Sequence, residues 1–162
     1  MLVSKGIARR LRIVVAACAV LSLTGAAPPE AGRKGETVTA ARLGAMVTTT
    51  ADGLVTHAPF DDPAARTLIV RRDRMGQVEV HDLLNDVVVV QAGTAMLMTG
   101  GRAEGALATA PGEWRGGTIV GGERRALAPG DVAWIPAGVP HQLVVAPGGS
   151  FTYIVVKTDK AR

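Results

Sequence analysis

The sequence predicts an all-β domain preceded by one short helix. Short segments rich in Val, Ile and Thr follow one another between residues 66 and 158, and Gly-Gly, Pro-Gly and Asn-Asp pairs separate them. This is the pattern of short strands joined by tight turns. Many short strands after a single helical segment favour a barrel or a two-sheet sandwich. The strand-rich part is long enough to form one domain around one core.

The N-terminal segment has the features of a secretory signal peptide in their usual order. Residues 1–12 carry four basic side chains, residues 13–23 form an apolar run, and small residues follow up to position 27. The apolar run is too short to cross a bilayer as a helix. We therefore predict that residues 1–27 are a signal peptide and that the mature protein is secreted or periplasmic, with no membrane span. A membrane anchor that is kept in the mature protein is the alternative.

Removal of this segment changes the charge of the protein. The whole chain has a formal net charge of +4, and the four ionisable residues of the signal peptide are all basic, so +4 minus 4 leaves the mature chain close to neutral. We expect no nucleic-acid partner, because binding to a phosphate backbone requires a concentrated basic surface. The one cysteine, Cys18, leaves with the signal peptide, so we expect no disulfide in the exported protein.

The predicted elements follow in chain order. Residues 28–35 form a polar, flexible linker, and residues 36–65 form a helix followed from position 48 by a loop. The apolar residues of 37–47 are spaced for one side of a helix, and Thr37 or Thr39 can serve as its N-cap. Strands are predicted at residues 67–71, 77–82, 87–91, 95–99, 116–120, 124–128, 132–135, 143–146 and 151–157.

One turn near the end of the chain is unusually constrained. Residues 130–141 read Gly-Asp-Val-Ala-Trp-Ile-Pro-Ala-Gly-Val-Pro-His. A predicted strand runs into a turn shaped by Pro136, Gly138 and Pro140, and His141 opens the next strand. Proline fixes its own φ, and glycine permits the positive φ that a tight turn often needs. The turn therefore holds the imidazole of His141 in a fixed position at the start of the next strand. An apolar strand gains nothing from a histidine there unless a polar group lies nearby.

Acidic residues and a second histidine gather upstream, between residues 79 and 93. Glu79 and His81 lie two apart in a predicted strand, so their side chains share one face. Asp86 and Gly93 follow, with six residues between them.

These two segments resemble the signature motifs of the cupin superfamily. The second motif of that family runs Gly-x5-Pro-x-Gly-x2-His, and residues 130–141 match it. The first motif runs Gly-x5-His-x-His, three or four residues, Glu, six residues and Gly, and Asp86 and Gly93 fit its second half. The resemblance implies a cupin-type double-stranded β-helix, or jelly-roll barrel, over residues 66–158, with a short N-terminal helix.

The resemblance also implies a metal site. His81 and His141 stand at two of the histidine positions of the family. Glu79 replaces the third histidine, and Asp86 replaces a glutamate with a side chain one methylene shorter. Two histidines with carboxylates suit a divalent transition metal, which would be Fe, Mn, Ni, Cu or Zn.

Each of these residues also has a simpler interpretation. His81 and His141 can be hydrogen-bonded polar residues that line a metal-free barrel. Glu79 can be a metal ligand, the partner of an arginine such as one from the run 71–74, or a general base whose pKa the apolar barrel raises. Asp86 can be an ordinary turn residue.

The function that follows is the binding of a small molecule inside the barrel of an exported, single-domain cupin. A divalent metal site would permit oxygenase or isomerase-type activity, and a metal-free, non-catalytic ligand-binding or sensory cupin is the alternative. A purely structural barrel is a third interpretation. The resemblance makes a homodimer plausible. The chain lacks the motifs of serine hydrolases, phosphate-binding loops and paired Cys-x-x-Cys sites. Whether the protein is an enzyme stays open at this point.

Overall fold

The computed structural model describes residues 34–48 and 52–161. The predicted signal peptide, residues 1–27, lies outside the described residues, as does most of the predicted linker, residues 28–35. In the part of the chain that is described, no helix is long and apolar enough to span a membrane.

A short 3-10 helix covers Pro63–Ala65. In chain order, the α-helix and the strands are α1 (Ala40–Met46), β1 (Leu54–His57), β2 (Thr67–Arg72), β3 (Glu79–His81), β4 (Leu84–Gly93), β5 (Ala95–Thr99), β6 (Arg102–Glu104), β7 (Leu107–Ala110), β8 (Glu113–Arg115), β9 (Thr118–Val120), β10 (Glu123–Leu127), β11 (Val132–Ile135), β12 (His141–Val144) and β13 (Phe151–Asp159).

The helix α1 is shorter than the predicted range 37–47. Its N-cap is Thr39, whose side-chain oxygen accepts a hydrogen bond of 3.3 Å from a backbone N–H of the first turn. Such a bond satisfies one of the N–H groups that have no partner within a helix. Leu43 and Met46 pack against a buried cluster that contains Ile69 of β2. The helix therefore covers the outer face of the sheet to which β2 belongs.

Strand β1 occupies part of the region where the sequence predicts a loop, and that prediction is wrong at residues 54–57. The strand pairs antiparallel with β2, with Val55 opposite Arg71. Val55 is the only buried side chain among its four residues. The alternation of apolar and polar residues by which a strand is recognised in a sequence is therefore absent. Pairing with β2, more than local propensity, determines this strand.

Strands β6, β7 and β8 lie between residues 102 and 115, where the sequence predicts no strand. All of their side chains are exposed or half-buried. Because they bury no apolar face, these segments lack the hydrophobic alternation that identifies strands in sequence. The last of them, β8, pairs antiparallel with β3, which carries two of the predicted site residues.

The strands form two main sheets, both antiparallel. One sheet has the order β1-β2-β13-β4-β11, and the other has the order β10-β5-β12-β3-β8-β7, while β6 and β9 form a separate pair. From β2 to β5 and again from β10 to β13, consecutive strands alternate between the two sheets. Two packed sheets connected in this way form a jelly roll. The prediction of an all-β jelly-roll barrel with a short N-terminal helix is confirmed.

The core lies between the two sheets and takes side chains from both. Alternate residues of β13 from Phe151 to Val155 are buried, and Phe151 is fully buried, so this part of the strand presents one continuous face to the interior. That inward face continues to position 157. The buried residues of the cluster are Val70, Val88, Val90, Ala95, Leu97, Leu127, Ile135, Leu143, Val145, Phe151, Tyr153 and Val155.

Candidate metal centre

A cavity of about 780 Å³ adjoins the core and is lined by both sheets. Apolar side chains such as Val88 and Leu143 form one part of its wall. Charged and polar side chains, including Arg72, Glu79 and His141, form another part. A mostly apolar cavity with a few converging polar groups is the usual form of a small-molecule site.

Strands β3 and β12 bring three of the predicted ligands together. Glu79 lies directly opposite His141 in the antiparallel pair, and His81 is two residues further along β3, on the same face. One ligand atom from each of Glu79, His81 and His141 can be chosen so that all three lie within 4.8 Å of one another. Both histidines are buried. Their ring centroids are 5.3 Å apart.

Asp86 supplies the fourth predicted ligand from the opposite sheet. It lies inside β4 and is buried, so it is not a turn residue. Its Oδ2 is 3.5 Å from Nε2 of His81 and 3.8 Å from Nε2 of His141. Metal bonds of about 2.1 Å place neighbouring ligand atoms roughly 3–3.5 Å apart. Glu79, His81 and His141 therefore form a group that could hold a metal ion, and Asp86 lies beside both histidines.

The orientation of both imidazole rings is fixed by partners of Nδ1. Nδ1 of His81 lies 2.7 Å from Oε2 of Glu113, and Nδ1 of His141 lies 3.0 Å from the carbonyl oxygen of Val139. Because each partner is an acceptor, each Nδ1 carries the hydrogen. Nε2 is then the atom that each ring presents to the shared space. The same carboxylate–histidine and carbonyl–histidine pairs orient the ligands of metal sites.

Two arginines bind Glu79, as one of the alternative interpretations expects. Arg115 of β8 lies directly opposite Glu79 and forms an ion pair with it. Arg72, from the predicted run 71–74, reaches Oε1 at 3.2 Å. Burial alone would raise the pKa of Glu79, but its hydrogen bond with His81 and the two arginines lower that pKa to about 2. The carboxylate is therefore ionised and is not poised as a general base.

The carboxylates also favour a cation at Nε2 of His81. Burial lowers the pKa of this imidazole, but hydrogen bonds with Asp86 and Glu79 outweigh burial and raise it to about 9. By contrast, burial lowers the pKa of His141, which keeps that ring neutral. The pKa of Asp86 is lowered: burial opposes this, and hydrogen bonds with His81 and Lys157 more than compensate. The carboxylates beside Nε2 of His81 thus attract positive charge to that atom, whether a proton, an ammonium group or a metal ion.

Three site residues escape the sequence reasoning: Glu113, Arg115 and Lys157. The first two belong to β8, where they lie opposite His81 and Glu79 respectively. Their polar–apolar–polar spacing could have indicated a partner strand for residues 79–81. Lys157 continues the inward face of β13, and it lies opposite Asp86 in the sheet. A lysine at the inward position of an apolar strand is a signal that the sequence does contain.

Comparisons with known proteins bear on the fold. No protein-family model and no curated protein matches the chain. Among solved structures, the TT1209 protein of Thermus thermophilus aligns with a TM-score of 0.52 at 20% identity, over 74% of this chain and 95% of that one. The cupin domain of CENP-C from Drosophila melanogaster aligns with a TM-score of 0.53 at 14% identity, over 80% of this chain and 86% of that one. The domain has the cupin fold.

Hydrogen bonds join the two cupin motifs beside the site. Gly138 has a φ of 81°, and its N–H donates to the carbonyl of His81 at 2.7 Å. The N–H of Ala137 donates to Oδ1 of Asn85 at 3.0 Å. The side-chain amide of Asn85 in turn donates to the carbonyl of Asp159 at 3.0 Å. The turn of the second motif is therefore held against β3 and β4, which carry the other predicted ligands, and through Asn85 it is connected to β13.

Asn85→Ala is expected to destabilise the cupin fold by about 2 kcal/mol, because the substitution removes the acceptor of a backbone N–H in the turn. Asn85 is buried, so water cannot readily replace the lost bonds. Urea unfolding measures the effect. Gln91→Ala is the matched control, because Gln91 is exposed and bonds only within its own strand, and we expect it to change the free energy of unfolding by less than about 0.5 kcal/mol. Equal effects of the two substitutions would contradict the bracing role of Asn85.

Proposed function

We propose that the chain is an exported cupin that binds a small molecule in its cavity beside a divalent transition-metal ion, held by Glu79, His81, Asp86 and His141. The observation that carries this proposal is the arrangement of the two imidazoles. Each ring has its Nδ1 occupied by an acceptor, and each directs Nε2 toward the other and toward Asp86. When bound, the ion would supply Lewis-acid polarisation of a ligand oxygen. The signal-peptide features of residues 1–27 support export.

The charges around the cavity favour an anionic ligand. Its lining contains four cationic side chains and two carboxylates, and His141 is kept neutral by burial. A small molecule with a carboxylate or a phosphate would complement this excess of positive charge. The cationic side chains of the lining are Arg72, Arg74, Arg115 and Lys157.

A metal-free, non-catalytic ligand-binding cupin is the second candidate, and a specific observation favours it. Both carboxylates of the site already have cationic partners from the chain. Glu79 is paired with two arginines, and Asp86 with Lys157 at 2.7 Å. A site with this internal compensation can be stable without an added ion.

Metal content separates the two candidates. The protein is purified without affinity-tag histidines, reconstituted separately with Fe²⁺, Mn²⁺, Ni²⁺, Cu²⁺ and Zn²⁺, and analysed by inductively coupled plasma mass spectrometry. We expect about one ion per chain, and a loss of affinity of at least ~100-fold in His141→Ala, since a direct ligand matters more than the outer partners that change affinity by 10- to 100-fold. His57→Ala is the control, because His57 is exposed on β1. If the folded protein takes up none of the ions, the metal-dependent function is wrong and the metal-free candidate replaces it.

A further inference from the structure

Lys157 is an inward-facing cation at the centre of the candidate metal site. It lies on the face of β13 that also carries Tyr153 and Val155, and it is the direct cross-strand neighbour of Asp86. Its Nζ is 2.7 Å from Oδ1 of Asp86 and 3.0 Å from Nε2 of His81. Only 20% of its side-chain surface is exposed, which is low for a lysine.

The two contacts of Lys157 are with atoms that belong to the metal-binding set. A metal ion bonded to Nε2 of His81 would lie about 2.1 Å from that atom, and Nζ of Lys157 stands 3.0 Å from the same atom. The ammonium group at its observed position and a metal ion therefore compete for the same space beside His81. Asp86 differs, because Oδ1 faces Lys157 while Oδ2 faces the two histidines.

We infer that Lys157 is an internal competitor for the metal ligands: its ammonium group holds His81 and Asp86 in place without a metal, and it must leave His81 before a metal can bind. This inference rests on the proposed metal site and adds the residue that determines its affinity. Of the cationic side chains near the site, Arg72 and Arg115 bind Glu79. Lys157 alone among these three contacts a predicted histidine ligand.

The competition has two consequences that can be measured separately. Removal of the ammonium group frees Nε2 of His81 and removes a like charge from the neighbourhood of the ion, so metal affinity should rise. The same removal leaves the buried carboxylate of Asp86 without its closest cation, so the metal-free fold should become less stable. A lysine with a merely structural role would give the second effect without the first.

The test compares Lys157→Met with the unmodified protein and with Lys160→Met. Methionine removes the charge and keeps an unbranched side chain only one atom shorter than that of lysine. Lys160 is an exposed lysine three residues away, so the control makes the same charge change outside the site. Zn²⁺ affinity is measured by competition with a chromophoric chelator, and the absorption spectrum of bound Co²⁺ reports the coordination. Thermal unfolding is recorded with and without Zn²⁺.

We expect Lys157→Met to bind Zn²⁺ roughly 10- to 100-fold more tightly than the unmodified protein, the range over which outer-shell groups change metal affinity. We also expect its unfolding midpoint to be lower without Zn²⁺ and to rise more when Zn²⁺ is added. If the variant folds only when refolded with Zn²⁺, its Zn²⁺ affinity is measured on the refolded protein, and we expect the same tighter binding. Lys160→Met should match the unmodified protein in both measurements.

Two results would overturn the inference, and they differ in what they say about the metal site. If the unmodified protein and Lys157→Met bind Zn²⁺ with equal affinity, Lys157 does not compete and the proposed metal site stands. If neither protein binds Zn²⁺ and neither develops a Co²⁺ spectrum, the metal site and the competition are both wrong. Tight binding by Lys157→Met alone would support the inference in its strongest form, in which the unmodified protein is held metal-free by its own lysine.

Discussion

Glu79→Gln should destabilise the metal-free protein by about 3 kcal/mol at pH 7. The glutamate is paired with Arg72 and Arg115, and its neutral replacement leaves both cations beside an uncharged amide. The pKa of Glu79 is lowered from 4.5 to about 2, and each unit by which a pKa is shifted corresponds to about 1.4 kcal/mol of free energy. This agrees with the usual cost of breaking a buried ion pair on one side.

The effect of Glu79→Gln should depend on pH in a defined direction. Because the pKa is lower in the folded than in the unfolded protein, the carboxylate stabilises the fold fully above about pH 5, and the stabilisation is lost as the pH falls toward about 2. The difference in free energy of unfolding between Glu79→Gln and the unmodified protein should therefore shrink over this interval. Urea unfolding at a series of pH values measures it.

The matched control is Glu104→Gln. Glu104 pairs with Arg102 on the surface, where both side chains are more than half exposed, and such pairs contribute at most about 1 kcal/mol. We expect a change of less than about 1 kcal/mol in this variant. Two results for Glu79→Gln would contradict the prediction: a change in the free energy of unfolding no larger than that of the control, or a change that is the same at pH 5 and at pH 2. Either result would show that the two arginines do not stabilise the ionised carboxylate.

Gly93→Ala should have the largest effect on the fold, on the order of 4 kcal/mol. Gly93 ends β4 with a φ of 74°, a conformation that costs an alanine about 1–2 kcal/mol. A Cβ atom built there would also lie 1.9 Å from the carbonyl oxygen of Ser150. That neighbour is backbone, so the close contact can be relieved only by moving the start of β13 away from β4. The glycine that ends the first cupin motif is thus required by the close approach of two strands.

Gly138→Ala separates the two contributions. Gly138 belongs to the second motif and has a similar positive φ, but nothing lies within 4 Å of the position of its Cβ. We expect its substitution to destabilise the protein by only about 1–2 kcal/mol, the cost of the left-handed conformation. Chemical unfolding of both variants measures the difference. If both variants lose the same free energy of unfolding, the backbone relaxes around the methyl group introduced by Gly93→Ala. The close approach of Ser150 would then not require a glycine at position 93.

The sequence predicts the fold class, and it identifies residues that the structure brings close together, but it does not predict the side chains that surround them. Strand β5 and strand β11 have the predicted bounds, because short apolar runs bounded by glycine or proline are local signals. Glu79, His81 and His141 come close together because the two motifs place them on β3 and at the start of β12, which are paired strands. Strand β1 is missed because it depends on pairing with β2, and its own four residues carry little pattern.

The charges that surround the ligands could not be predicted in the same way. Glu79 and Arg115 are 36 residues apart in the sequence, and their contact depends on the register between β3 and β8. Asp86 and Lys157 are 71 residues apart and meet through the register between β4 and β13. Register between distant strands is set by the packing of the whole barrel, so no local motif contains these pairs.

The position of β13 also determines when the domain can fold. It is the last of the described strands in the chain, and yet it lies between β2 and β4 in the middle of its sheet. Until it has been synthesised, β2 and β4 have no partner on the side where β13 pairs with them. The candidate site then lacks Lys157, and the cavity lacks the part of its wall that β13 forms. Folding must therefore wait for late, long-range pairing, which is slow compared with local pairing. A nascent chain in which β13 has not yet paired leaves the edges of β2 and β4 open, and its apolar inner faces stay exposed to solvent until that pairing occurs.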